Sequence, residues 1–240
     1  MSQHLQFLWQ NLPNLLIGFP QQRPGGLLLS VGLALVSLGF GFLMATLVGS
    51  GRASPHRFWR WPAMLYIEVF RGLPLILLLF LIHQGLGGRR FGLDLSPYQS
   101  ALIALTLYTS AYQSEIIRAG LQAVPQQLVD SARLVGGSTW RIYWQIKLRY
   151  TLKIMVPAFT GQAISLFKDT SVVVVLGVSE LMTVARTTLG ADIRNAPYWV
   201  TIYLAVGVLY LSVAVIISNL AKRFEKKQAS QDLVFSLANA

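Results

Sequence analysis

Residues Glu115 to Pro157 read EIIRAGLQAVPQQLVDSARLVGGSTWRIYWQIKLRYTLKIMVP, a polar and basic stretch set between two apolar runs. A hydrophobic protein interrupts itself in this way where something docks. Pro125 suits the first position of a helix, where a missing N–H is no loss. Leu128, Ala132 and Val135 then recur at helical spacing on one face. Gly136-Gly137 stops the helix, because glycine accepts the left-handed conformation of a tight helix end. Ser138 can cap a second helix, Thr139 to Leu148, which returns along the membrane surface. The expectation is a helix-turn-helix lying parallel to a bilayer with a compact tip, stiff enough to transmit force. A plainer reading of the same shape is an amphipathic hairpin that only anchors the chain.

The flanks establish the solvent. Of 240 residues, 54% are hydrophobic and only 12% charged, and the mean hydropathy is +0.53. That balance belongs in a bilayer, and at roughly 20 residues per crossing the chain makes about five spans with no room for a soluble second domain. We therefore expect one all-α integral membrane domain over 1–240. Its spans fall near 26–49, 62–86, 98–117, 151–169 and 199–221, and a cytoplasmic loop covers 118–150. Between the first two spans, Arg57, Phe58, Trp59, Arg60 and Trp61 form an interfacial elbow. Pro157 is expected to kink the fourth span. The apolar segment from Thr170 to Val178 is too short to cross alone, so it either continues that span or re-enters.

Charge placement sets the orientation. With the C-terminus inside, the inner loops hold Arg52, Arg57, Arg60, Arg118, Arg133, Arg141, Lys147, Arg149, Lys153 and four tail residues, thirteen in all. The outer side holds five: Arg23, Arg89, Arg90, Arg186 and Arg194. The positive-inside rule then puts the N-terminus in the periplasm and the C-terminus in the cytoplasm. A net charge of +11 could suit nucleic acid, but no basic face is interleaved with aromatics. There is no cysteine, and the three histidines (His4, His56, His83) are scattered, which argues against disulfides and a metal-dependent enzyme. The first 25 residues lack the basic start and cleavage site of a signal peptide.

Within the loop, Asp130-Ser131-Ala132 is followed after three residues by Gly136, and after nine more by Ile146-Lys147-Leu148. This spacing resembles the coupling loop of ATP-binding-cassette (ABC) importer permeases. In that family, Glu-Ala-Ala precedes the glycine and a proline follows the Ile-x-Leu. Here Asp130 replaces the glutamate and Arg149 the proline. A shorter carboxylate can keep the same charge-assisted bond, and the lost proline alters how the fourth span begins. Three further stretches resemble the polar amino-acid branch: Glu68-Val69-Phe70-Arg71-Gly72-Leu73-Pro74, Ala111-Tyr112 through Glu115 to Gly120, and Lys168-Asp169-Thr170-Ser171. The form around Gly72 to Ile76 looks closest to permeases of general or neutral L-amino-acid systems.

The resemblance implies the type I importer permease fold. Its loop would meet an ATPase through Gln127, Leu128, Asp130 and Ser131, followed by Ala132, Arg133, Gly136 and Trp140. It also implies a substrate pathway touching Arg71, Gly72, Leu73, Thr109, Ser110, Lys168 and Asp169. Ionisable residues within a membrane cost enough to mark cavities, and an amino acid brings two charges that need partners. Duller roles stand beside these: Glu68 with Arg71, and Glu115 with Arg118, are spaced for ion pairs along a helix. The chain has no phosphate loop of its own, so ATP and Mg would sit in partners. The implied partners are two ABC ATPase subunits, a periplasmic amino-acid-binding protein, membrane lipid and a second permease subunit, a paralogue more than a second copy. The rivals are an ATP-independent secondary transporter or channel, which leaves the docking hairpin unexplained, a membrane enzyme, for which no cluster of catalytic residues is evident, and a permease-like subunit that serves only as a sensor or scaffold.

Overall fold

A computed structural model describes residues 3–19, 23–88 and 93–238, with side chains as far as 226 and without that of Arg23. The Arg89-Arg90 pair used for orientation lies outside the described residues. Helix α1 spans Gln3–Ile17. A two-residue antiparallel ribbon, β1 (Gly18–Phe19) with β2 (Arg23–Pro24), leads to α2, Gly26–Ala53. Then come α3, Arg57–Gly72, and α4, Leu75–Phe80, which widens into a π-turn over Leu81–Leu86. Helix α5 is Pro97–Gln122. The hairpin comprises α6 (Gln126–Leu134), α7 (Thr139–Ile142), a π-turn over Tyr143–Lys147 and α8 (Leu148–Ile154). Helix α9, Val156–Asp169, runs into a 3₁₀ segment, Thr170–Leu176. After α10 (Leu181–Gly190) and a 3₁₀ turn over Ile193–Tyr198, α11 covers Trp199–Ala238.

Among the described residues, three stretches are long and apolar enough to cross a membrane: Gly26–Ala53, Val156–Leu176 and Ile193–Lys226. The segment that begins at Thr170 continues the helix before it as far as Leu176. The stretch expected as a second span is instead two helices meeting at 105° around Gly72-Leu73-Pro74, and together they form a fourth candidate. Proline disfavours a helical conformation at Leu73 and cannot donate to the turn before it. Helix α5 is 26 residues long, about 39 Å, which exceeds a bilayer core of about 30 Å. It is less apolar because Ser100, Thr109, Ser110, Gln113 and Ser114 lie along it, but all five are buried. Its polar groups face protein, packed beside Ala101, Ala104, Leu105, Ala111 and Ile117, which are buried as well. The helix break before Pro157 comes at Met155, so the expected kink is a change of helix.

The residues form two compact units, Met1–Gly39 with Leu73–Leu107 and Ala163–Ile216, and Phe40–Gly72 with Tyr108–Gln162 and Ile217–Ala240. In the first, Leu15 of α1 is buried with Leu181, Val184 and Ala185 of α10 and Ile202 and Val206 of α11. Phe7 stacks on Tyr198 at 4.3 Å. Glu180, fully buried, ties this unit together. It caps α10 by accepting from the Met182 and Thr183 N–H groups at 2.8 and 2.7 Å, takes the Tyr210 hydroxyl at 3.1 Å, and has Ser30 Oγ at 3.4 Å. Ser30 Oγ in turn accepts from the Leu181 N–H at 3.1 Å. One carboxylate thus joins α2, α10 and α11.

In the second unit, α2 and α5 approach through glycine. A Cβ on Gly41 would lie 2.6 Å from Thr109 Cγ2, and one on Gly49 would lie 2.6 Å from the Ser114 carbonyl oxygen. Gly120 gives the same closeness between α5 and Thr151 of α8. Small residues permit this contact between membrane helices.

Candidate functional site

The hairpin is built by local rules. Pro125 stands just before α6 as its capping residue, one place earlier than the sequence suggested. Gly136 has φ +82°; its N–H bonds the Arg133 carbonyl at 3.0 Å, and the Gly137 N–H bonds Ala132 at 2.9 Å. That paired closure satisfies two end carbonyls of α6. Ser138 Oγ accepts from the Arg141 N–H at 3.4 Å and caps α7. The return limb extends to Ile154, past the expected Leu148, because with Arg149 in place of a proline nothing stops it.

The buried face of α6 differs from the one read in the sequence. Val129 is its buried residue, whereas Leu128 is 45% exposed and Val135 86%. Leu134 at 88% and Trp140 at 72% complete an apolar tip that none of the described residues covers. Gln127, Asp130, Ser131, Arg133 and Gly136 are exposed, and Ala132 is half-buried. Asp130, the only acid between Arg118 and Pro157, accepts from Gln126 Nε2 at 2.9 Å and faces Arg133 at 3.5 Å. Its remaining lone pairs are open to solvent. The candidate residues therefore share an exposed surface. Leu134 and Tyr143 were not singled out from the sequence; Leu-Val directly before Gly-Gly in a polar loop was the available signal for the first.

The tip is connected to the second unit's helices. Trp140 meets Trp144 edge-on at 5.3 Å, and Trp144 meets Tyr143 at the same separation. The Tyr143 hydroxyl is hydrogen-bonded to Ser50 Oγ near the end of α2. Tyr143 opens the π-turn, an irregularity that often marks functional positions. Between α2 and α5, Glu115 holds Arg118 at 2.7 Å, as the spacing suggested, and Arg52 at 3.9 Å. A chain of rigid groups therefore runs from the exposed tip to α2 and α5.

The expected pathway residues divide between the units. In the second, the Arg71 guanidinium lies over the Tyr112 ring at 5.1 Å, and no salt bridge joins it to Glu68. Gly72 is exposed. Thr109 and Ser110 are buried and engaged, Thr109 accepting from Gln162 Nε2 at 3.2 Å and Ser110 bonded to the Tyr66 hydroxyl at 2.6 Å. In the first unit, Leu73 and Asp169 are half-buried and Lys168 is exposed, with no salt bridge between Lys168 and Asp169. Among the described residues no cluster of histidine, cysteine, aspartate or glutamate could hold a metal ion.

A family profile described as the binding-protein-dependent transport system inner membrane component matches residues 37–230. The histidine/lysine/arginine/ornithine transport system permease protein HisM of Salmonella typhimurium is 30% identical over 236 residues, covering 95% of this chain and 97% of its own. The probable glutamine ABC transporter permease protein GlnP of Bacillus subtilis is 30% identical over 227 residues, covering 95% and 96%. A solved amino acid ABC transporter bound with histidines matches 95% of this chain and 99% of its own at a TM-score of 0.78 and 25% identity. The methionine transporter MetNI, at a TM-score of 0.72 and 20% identity, shares the fold. The chain belongs to the inner membrane components of binding-protein-dependent transport systems, as a multi-pass, non-catalytic ABC importer permease of the amino-acid branch.

Proposed function

We propose that this chain forms half of the translocation pathway of an ATP-driven L-amino-acid importer and that the hairpin at 118–150 is its input from the motor. The observation that carries this reading is the apolar tip of Leu134, Val135 and Trp140, left uncovered on a hairpin whose stop and caps are otherwise satisfied. Buried apolar anchors ringed by polar groups are what an interface needs. Asp130, alone in a basic stretch, supplies a carboxylate for a cationic group on the partner. The named substrates of the similar proteins, histidine and glutamine among them, support an amino acid as cargo.

In this reading the N-terminus is periplasmic and the hairpin and C-terminus are cytoplasmic. Two ATPase subunits dock on the paired hairpins and hold ATP and Mg. A second permease, a paralogue, closes the pathway about a twofold axis, and a periplasmic binding protein delivers cargo. When the ATPases close, the hairpin moves as a rigid piece. The Trp140–Trp144–Tyr143 contacts and the Ser50 bond carry that displacement to α2, while Glu115, held by Arg118 and Arg52, keeps α5 in step. Paired helices then alternate between outward and inward access. Arg71 and Lys168, both exposed cations, suit a carboxylate in transit. Asp169 suits the ammonium, and Gly72 and Leu73 shape the bend after α3. Thr109 and Ser110, already bonded within the protein, would hold the pathway wall more than the cargo.

Uptake of labelled L-amino acids by proteoliposomes holding the complex, with ATP inside and binding protein outside, tests the proposal. ATP-dependent uptake that Asp130→Arg abolishes, along with ATPase docking, is expected. Uptake without ATP, or full activity in Asp130→Arg, would overturn the coupling role.

A further inference from the structure

Eight consecutive residues, Pro55 to Pro62, are all exposed. They read PHRFWRWP and contain no acid. Phe58, Trp59 and Trp61 are 77%, 62% and 63% exposed, high values for aromatic side chains. Helix α3 nonetheless has a well-packed face, since Ala63 and Ile67 are buried and Tyr66 is bonded to Ser110. The opposite face carries Phe58, Trp61, Leu65 and Val69, which follow one another at three- and four-residue steps and form one stripe. Arg57 and Arg60 flank that stripe at its start, and among the described residues neither has an ion pair. The nearest acid downstream, Glu68, stands about 12 Å along the helix from Arg60.

We propose that this stretch of α3 is a binding surface for anionic phospholipid headgroups. Arg57 and Arg60 take the phosphates, and Phe58, Trp61 and Leu65 enter the acyl boundary. Charge complementarity selects the occupant: two unpaired guanidiniums with no local acid attract an anionic interface, and their planar forks match phosphate oxygens. Aromatic rings that are apolar but tolerate a wet edge occupy the same depth. An apolar stripe with a basic flank is the pattern of a helix lying in the interface.

The test follows Trp59 and Trp61 in the assembled transporter, with the other four tryptophans changed to phenylalanine. Fluorescence quenching by bromine-labelled phosphatidylglycerol is compared with quenching by bromine-labelled phosphatidylcholine at equal mole fraction. Stronger quenching by phosphatidylglycerol is expected. That preference should fall roughly fivefold for each of Arg57→Gln and Arg60→Gln, and survive largely in the paired Arg→Lys variant. The lipid exchange needs no substitution at the arginines, so a poorly folding variant leaves the answer intact. Equal quenching by the two lipids would overturn the proposal in favour of plain apolar contact. Quenching by neither would overturn it in favour of a protein, such as a second permease, covering this face.

Discussion

Two carboxylates, Glu180 and Asp130, serve the two units in opposite ways. Glu180 is fully buried and surrounded by donors from its own helix, from Tyr210 and from Ser30, which stands 150 residues away in sequence. Asp130 is exposed and bonded only within its own helix, to Gln126 and Arg133. A buried acceptor with every donor in place fixes one arrangement of three helices, because any other strands polar groups out of water. An exposed acceptor leaves its helix little altered and stays available to a partner. The first unit is thus stapled through its interior, while the second displays an exposed tip that is in contact with α2 through Trp144, Tyr143 and Ser50.

The sharpest way to break this contrast is to delete each acceptor in turn. Glu180→Ala leaves donors of Ser30, Met182, Thr183 and Tyr210, buried or half-buried, without their acceptor and should cost about 3–5 kcal/mol. We expect almost no folded chain after mild heating and gel filtration in detergent, whereas Asp130→Ala should elute as wild type. Next in size is Leu134→Asp combined with Val135→Asp. It should leave the permease folded yet weaken ATPase co-purification by at least about thirtyfold, the scale of a loss of 2 kcal/mol at an interface anchor. Gly49→Leu forces α2 away from the Ser114 carbonyl and should cost about 1–3 kcal/mol. It is read as a lowered melting temperature with ATPase binding retained. Smallest of all is Asp192→Asn. Arg194 donates to Asp192 through its guanidinium, at 2.6 Å, and its backbone N–H, holding that carboxyl below the usual range. Any stability this pair contributes is present at neutral pH and lost as pH falls through the lowered value. At the surface it is screened, so thermal melts of Asp192→Asn and wild type should overlay at neutral pH.

The same contrast explains what could be read from the sequence. The hairpin was legible because its signals are local: Gly136 must take positive φ, Ser138 stands one residue before its helix, and Pro125 marks a start. What escaped depended on distant partners. Nothing near Glu180 indicates that Ser30 and Tyr210 complete its shell. The exposure of Leu134 and Val135 follows from which side of α6 meets protein, and periodicity favoured Leu128 over the buried Val129. Helix α1 was missed because its apolar residues become a packing face only against α10 and α11. The bend at Gly72-Leu73-Pro74 had its proline in plain view, but a proline by itself specifies no angle. The motifs at Arg71 and Lys168 resembled those of the family, yet spacing could not tell that Arg71 lies over Tyr112 while Thr109 and Ser110 are occupied within the protein.

The most direct test is the number of amino-acid molecules moved per ATP hydrolysed in proteoliposomes, comparing wild type with Tyr143→Phe, Ser50→Ala and the double variant. Removing one hydroxyl leaves the tip and its docking surface untouched. If the hairpin drives α2 through this bond, the ratio falls in both single variants while ATPase docking and turnover persist, and the double variant is no worse than either. A ratio unchanged from wild type in all three, with ATPase bound, would contradict transmission through Tyr143 and Ser50.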